Sequence, residues 1–145
     1  MHRLVQIVRF ESARRLTKVP KEHPCSNLYG LAFKLEIHVE GKIDPETGFV
    51  VDFSEIEDNF ESLKKKLDHN YLNDLEGLEN PTSEVLIEWI WENLKPKVGN
   101  LVKLVLWENE VSRVEYSGNY YLRLNTTDTK TIINSVTKGF SEVNS

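Results

Sequence analysis

What this chain has little of narrows its reading first. One cysteine, Cys25, stands among 145 residues, so no disulfide closes within the chain. No apolar run approaches the ~20 residues that a membrane-spanning helix needs. The first ten residues, MHRLVQIVRF, alternate and lack the apolar block of a signal peptide. Basic residues are outnumbered, 18 Lys and Arg against 23 Asp and Glu, for a net charge of −5. That balance gives no electrostatic footprint for nucleic acid or an anionic membrane. No glycine-rich phosphate loop, dinucleotide fingerprint, internal repeat or low-complexity segment is present. The expectation is a reduced, cytoplasmic protein with no nucleic-acid and no membrane partner.

What is there suits one domain with a sizeable core, since 39% of the residues are hydrophobic and 28% charged. Residues 3–10 are partly apolar on both faces and read as a buried strand. Residues 17–26 hold two prolines among polar residues and read as a loop, which carries Cys25. Phe33, Leu35, Ile37 and Val39 alternate with Lys34, Glu36, His38 and Glu40, the pattern of a half-buried strand. His38 falls on the polar row and reads as solvated. Residues 44–48 form a turn by composition, and residues 49–53 resume extended chain.

Ser54 and Glu57 fit a capping box before a helix with Ile56, Phe60, Leu63 and Leu67 on one face. A second helix follows Pro81, with Thr82 or Ser83 as cap and Val85, Leu86, Trp89, Ile90 and Leu94 as apolar stripe, stopping by Pro96. Trp91 lies beside that stripe and suits helix packing or a subunit contact. Residues 101–108 and 111–116 read as a closing strand pair. Strands and helices are segregated, so the expected class is α+β: an antiparallel four-stranded sheet with two helices on one face. Open edge strands in so small a sheet favour pairing with further copies. Beyond this, residues 120–124 read as a further strand, residues 129–140 as a short helix, and the last residues as frayed.

Several motifs stand in a fixed order. They are Phe10-Glu11-Ser12-Ala13-Arg14-Arg15-Leu16, then Cys25, then Leu28-Tyr29-Gly30-Leu31. Gly48 to Phe53, Leu67 to Asp74, Gly77 to Glu84, Trp107-Glu108-Asn109 and Tyr116 follow. Together they resemble the 6-pyruvoyl-tetrahydropterin synthase family, and most closely its bacterial 6-carboxy-5,6,7,8-tetrahydropterin synthase branch. The resemblance covers about residues 6–118, so residues 1–118 are read as one domain and 119–145 as a C-terminal extension of unknown role. It implies the tunnelling fold, or T-fold. It also implies a homo-oligomer whose edge strands join into a barrel, a hexamer of two stacked trimers.

The resemblance further implies Cys25 as catalytic thiol, assisted by Asp68 and His69. The chemistry is that of a thiolate drawn out by a neighbouring imidazole that an acid orients. Read without the resemblance, Cys25 also suits an apolar filler, and Asp68 and His69 suit a helix end and a loop. Glu108 matches the glutamate that anchors the pterin ring, where a carboxylate accepts two N–H bonds from the 2-amino-pyrimidinone edge. An exposed turn acid is the other reading. Thr82, Asp52 and Phe53 are implied to line the same pocket across a subunit boundary. His23 is either a proton shuttle or simply exposed.

The family's three zinc-binding histidines fall on Arg14, Tyr29 and Leu31. An arginine is not deprotonated to act as a ligand, and a leucine has no lone pair. A lone Tyr29 phenolate makes a poor zinc site, since catalytic zinc takes three protein ligands and an open position. No cofactor is therefore expected. Arg14 is either a substrate-facing cation suited to a phosphate or oxyanion, or a surface cation that replaced a lost ligand.

The function these residues imply is zinc-independent cleavage of a carbon–oxygen or carbon–carbon bond on the side chain of a reduced pterin. The first substrate candidate is 7,8-dihydroneopterin triphosphate, in queuosine or another 7-deazaguanine pathway. A non-catalytic pterin- or purine-binding protein, or an inactive subunit of an active paralogue, is the alternative.

Overall fold

The structure is a computed structural model that describes residues 1–119. The strand expected at 120–124 and the helix expected at 129–140 lie outside the described residues, as do the last residues. Two 13-residue strands, β1 (His2–Arg14) and β2 (Tyr29–Gly41), form an unbroken antiparallel hairpin from His2 opposite Gly41 to Arg14 opposite Tyr29. Next come α1 (Phe53–Leu67), the two-residue β3 (Asn70–Tyr71), α2 (Ser83–Leu94), β4 (Leu101–Trp107) and β5 (Arg113–Tyr116). The strand order is β3-β1-β2-β4-β5.

The α+β class, with both helices on one face, holds; the strand count is corrected from four to five. The addition is β3, which runs parallel to β1 at Ser12 and Ala13. Two residues carry no readable period. What builds β3 is His69, whose φ of 58° turns the chain sharply after α1. The His69 N–H then donates to the Glu11 carbonyl at 2.6 Å, laying Asn70 along the edge of β1.

Alternation explains the layers. Val8, Phe10, Ser12 and Arg14 of β1 point inward, as do Phe33, Leu35, Ile37 and Val39 of β2. They meet Ile56, Phe60, Leu63 and Leu67 of α1 and Leu86, Ile87, Ile90 and Leu94 of α2 in one core. Phe10 stacks on Phe33 at 5.1 Å between ring centroids. Trp91 packs edge-on against Tyr116 at 5.5 Å, so its role is helix packing.

Two local expectations are corrected. Residues 49–53 join no strand, because Asp52 rather than Ser54 caps α1: its carboxylate accepts the Ser54 N–H at 2.9 Å, and Phe53 is already helical. His38 is buried, not solvated. It sits on the central strand between Val5 and Lys103, and its Nε2 pairs with Glu36 at 3.0 Å.

Thr82 caps α2, its hydroxyl oxygen accepting the Val85 N–H at 3.1 Å. Thr82→Ala is expected to lower stability by about 1 kcal/mol, the usual worth of such a cap, and Thr82→Ser to keep it. Thermal unfolding of both variants checks this; equal losses would show that the cap is not the cause.

Candidate active site

The inward alternation of β1 carries Arg14 into the protein, where it is 3% exposed. A guanidinium there needs partners for its five N–H groups. Nε donates to the Tyr29 hydroxyl at 2.9 Å, and Nη1 donates to the Pro81 carbonyl at 3.2 Å and to Ser83 Oγ at 3.1 Å. Nη2 donates to Glu108 Oε1 at 2.7 Å. The guanidinium also lies over the Tyr29 and Phe33 rings, 5.3 and 5.6 Å from their centroids. Arg14 therefore ties together the ends of β1, β2 and β4 and the start of α2.

Ser83 relays the network by donating to the same Glu108 oxygen. As the first residue of α2, it also sets Glu108 at that helix's positive end. Burial raises the Glu108 pKa. The Ser83 and Arg14 hydrogen bonds and the guanidinium charge outweigh it and hold the carboxyl below its ordinary value. Glu108 is thus an ionised acceptor. Oε1 is taken twice, and Oε2 accepts no hydrogen bond among the described residues.

Cys25 joins this network. It sits in a 3-10 turn, Pro24–Ser26, whose entry is capped by the His23 ring: Nδ1 accepts the Cys25 N–H at 3.0 Å. The Cys25 carbonyl accepts the Leu16 N–H at 2.8 Å, fixing the loop against the end of β1. The Cys25 thiol lies near enough to the Tyr29 hydroxyl to act on its ionisation. Burial and that thiol raise the Tyr29 pKa, against the opposing pull of Arg14, so the phenol keeps its proton. Phenol, guanidinium and carboxylate form one hydrogen-bonded chain, with the thiol beside the phenol.

Asp68 and His69 form a second group. The Asp68 carboxylate accepts the Glu11 N–H through Oδ1 at 2.8 Å and meets His69 Nδ1 through Oδ2 at 3.0 Å. Those two contacts, the Glu11 bond foremost, lower its pKa. Asp68 thus both ends α1 and orients an imidazole. His69 is 75% exposed, with Nε2 3.9 Å from Glu11 Oε2. It stands at the rim of a concavity of about 520 Å³ floored by Ala13, Gly30 and Ala32.

Within one chain His69 does not reach Cys25; its partners are Asp68 and Glu11. The second group meets β1 at Glu11, three positions or about 10 Å of strand before Arg14. Thr82 lies beside Ser83 and so beside Glu108. Asp52 and Phe53 lie at the far end of α1 from Asp68, about 22 Å along a 15-residue helix. Arg14 is not a surface cation: it is buried, and four of its five donors are engaged inside the protein. Reasoning from sequence also missed Ser83 as a Glu108 partner. A hydroxyl next to the capping Thr82, left without a capping task of its own, was the available signal.

The residues at the family's zinc positions do not fit the ion. Arg14 fills the place with a positive charge already paired to Glu108, Tyr29 is held as phenol, and Leu31 has no donor atom. No group of three or more His, Cys, Asp and Glu suited to a metal occurs among the described residues. No helix among the described residues is long and apolar enough to cross a membrane.

Comparison with known proteins gives a family and a fold. The family profile described as 6-pyruvoyl tetrahydropterin synthase matches residues 3–119. The chain is 40% identical over 91 residues to a 6-carboxy-5,6,7,8-tetrahydropterin synthase of Synechocystis, covering 59% of this chain and 69% of that one. It is 37% identical over 91 residues to a dihydroneopterin monophosphate aldolase of Pyrococcus furiosus, covering 61% and 76%. Among solved structures, the 6-pyruvoyl tetrahydropterin synthase of Caenorhabditis elegans superimposes with a TM-score of 0.76 at 24% identity. That match covers 81% of this chain and 96% of the other.

Proposed function

Since the chain belongs to the 6-pyruvoyl tetrahydropterin synthase family, we propose that it cleaves the side chain of a reduced pterin without zinc, 7,8-dihydroneopterin triphosphate being the first candidate. The observation that carries this is the hydrogen-bonded Tyr29–Arg14–Glu108 chain, with Cys25 beside Tyr29. It puts an anionic acceptor for a pterin's N–H edge close to a thiol that can serve as a base once deprotonated. Glu108 accepts from the ring through the free Oε2. Cys25, once a thiolate, takes the side-chain proton, and the Tyr29 phenol beside it supplies a hydrogen bond to the charge that develops.

Arg14 holds Glu108 ionised and does not touch the pterin. His69 meets the substrate from a neighbouring copy in a barrel-forming homo-oligomer, the hexamer that the family resemblance implies, as do Asp52 and Phe53. The pathway is that of queuosine or another 7-deazaguanine. The relatives named above are a carboxy-tetrahydropterin synthase and an aldolase, so both carbon–oxygen and carbon–carbon cleavage stay within the proposal.

Two observations favour a second reading. Glu108 Oε1 is already doubly occupied and His69 is remote from Cys25, which suits a pterin binder or an inactive subunit without turnover. Incubating metal-free protein with 7,8-dihydroneopterin triphosphate, with and without added zinc, and identifying products by mass decides. Product without zinc is expected. Binding without product in either condition would establish the binder, and product only with zinc would overturn zinc independence.

A further inference from the structure

The helix-free face of the sheet carries a feature that the pterin reading leaves unused. One cross-strand row reads Arg9, Lys34, Trp107, Arg113: Arg9 lies opposite Lys34, Lys34 opposite Trp107, and Trp107 opposite Arg113. Three of its four members are cations, and none is an acid. Arg9 and Lys34 are direct neighbours on one face of an antiparallel pair, an arrangement that repels. Lys34 Nζ stands 4.5 Å and the Arg113 guanidinium 4.9 Å from the Trp107 ring centroid. The ring therefore restrains two of the cations.

Of the nearby acids, Glu36 feels the Lys34 charge and Glu110 lines the same concavity, but neither forms an ion pair with Arg9 or Lys34. Glu36 accepts from Trp107 Nε1 at 2.5 Å and pairs with His38. Glu115 is held by Lys103 and reaches Arg113 at 3.6 Å. Glu11 faces His69. Neither Arg9 nor Lys34 has an ion pair among the described residues. Ala32, small and one row along, leaves a concavity of about 240 Å³ that Arg9, Lys34, Trp107, Asn109 and Glu110 line.

We propose that this row is a binding site for a phosphate-bearing anion, seated on Arg9 and Lys34 beside Trp107. An anion there converts a repulsive pair into a chelate of two charge-assisted donors. The overall charge of −5 is unfavourable to anions, so the attraction is local to the row. Glu108 lies one residue from Trp107 and points to the helix side. The site is therefore distinct from the pterin pocket and does not depend on that reading.

Titration calorimetry of the full chain with inorganic triphosphate at low ionic strength tests this. Saturable binding that weakens as salt rises is expected. Arg9→Gln/Lys34→Gln should lose at least about tenfold in affinity, a fold-change set by two charge-assisted contacts. Arg3→Gln, on the same face but paired with Glu40, should bind as before.

Absence of triphosphate binding by the parent chain would overturn the proposal. So would equal losses in the Arg9/Lys34 and Arg3 variants, which would mark general charge attraction. Competition with 7,8-dihydroneopterin triphosphate would assign the site to a substrate's phosphate tail. Simultaneous binding of the two would assign it to a free oligophosphate.

Discussion

Arg14→Ala is expected to cost about 3 kcal/mol of stability, the lower end of the range for breaking a buried ion pair from one side. The lower end applies because the Glu108 side chain is 29% exposed and water recovers part of its solvation. The loss has several sources. Glu108 keeps its charge without a counter-ion, while the Pro81 carbonyl and the Tyr29 and Ser83 hydroxyls lose a buried donor. At roughly 2.1 cal/mol/K per residue, that corresponds to a Tm lower by about 10 °C for a chain of this size.

Arg14→Met/Glu108→Gln should recover most of the loss, because replacing both partners removes the uncompensated charge. A pH series adds an independent check. Glu108 is held below its ordinary range when folded. Its contribution is therefore present above the unfolded value of about 4.3 and is lost as pH falls through the lower folded value. Arg14→Ala should reduce that acid-side decline, leaving the part that the Ser83 hydrogen bond supplies. A variant within about 1 kcal/mol of the parent, with its acid decline intact, would show that Arg14 does not hold Glu108.

That pairing was the least legible part of the sequence, for a physical reason. Arg14 and Glu108 are 94 residues apart, and each read alone suits the surface. Extending the β1 alternation four residues, from Phe10 through Ser12 to Arg14, would have placed the arginine inward and so demanded a carboxylate. The long strands, both helices and the Thr82 cap were readable because period and capping are local properties. β3 was not, since two residues hold no period and its cause is the left-handed turn at His69. His38 showed only polar alternation; its burial comes from lying on the central strand beside Val5, Lys103 and Glu36. The motif order that marks the family reached Cys25, Asp68, His69 and Glu108, but which of them meet within one chain is a matter of tertiary distance.

Cys25→Ala is expected to lower kcat by about 10²–10⁴-fold, the range for removing a positioned proton-transfer group, while pterin affinity changes less than about twofold. The split follows from where the residue sits. Cys25 contacts Tyr29, whereas the anchoring carboxylate is fixed by Arg14 and Ser83, which the substitution leaves in place. Folding is not the confounding factor, because Cys25 is only half-buried in a short turn held by backbone bonds. Tyr29→Phe keeps the thiol but removes the hydroxyl beside it, so a smaller loss of kcat is expected. Unchanged turnover in Cys25→Ala would remove the thiol from the reaction and leave the Glu108 network as a binding device. Because His69 and Cys25 lie apart within a chain, co-assembled Cys25→Ala and His69→Ala chains should regain turnover that neither variant has alone. Recovery requires that one copy's thiol face another copy's imidazole; no recovery would confine the chemistry to the Cys25–Tyr29 group.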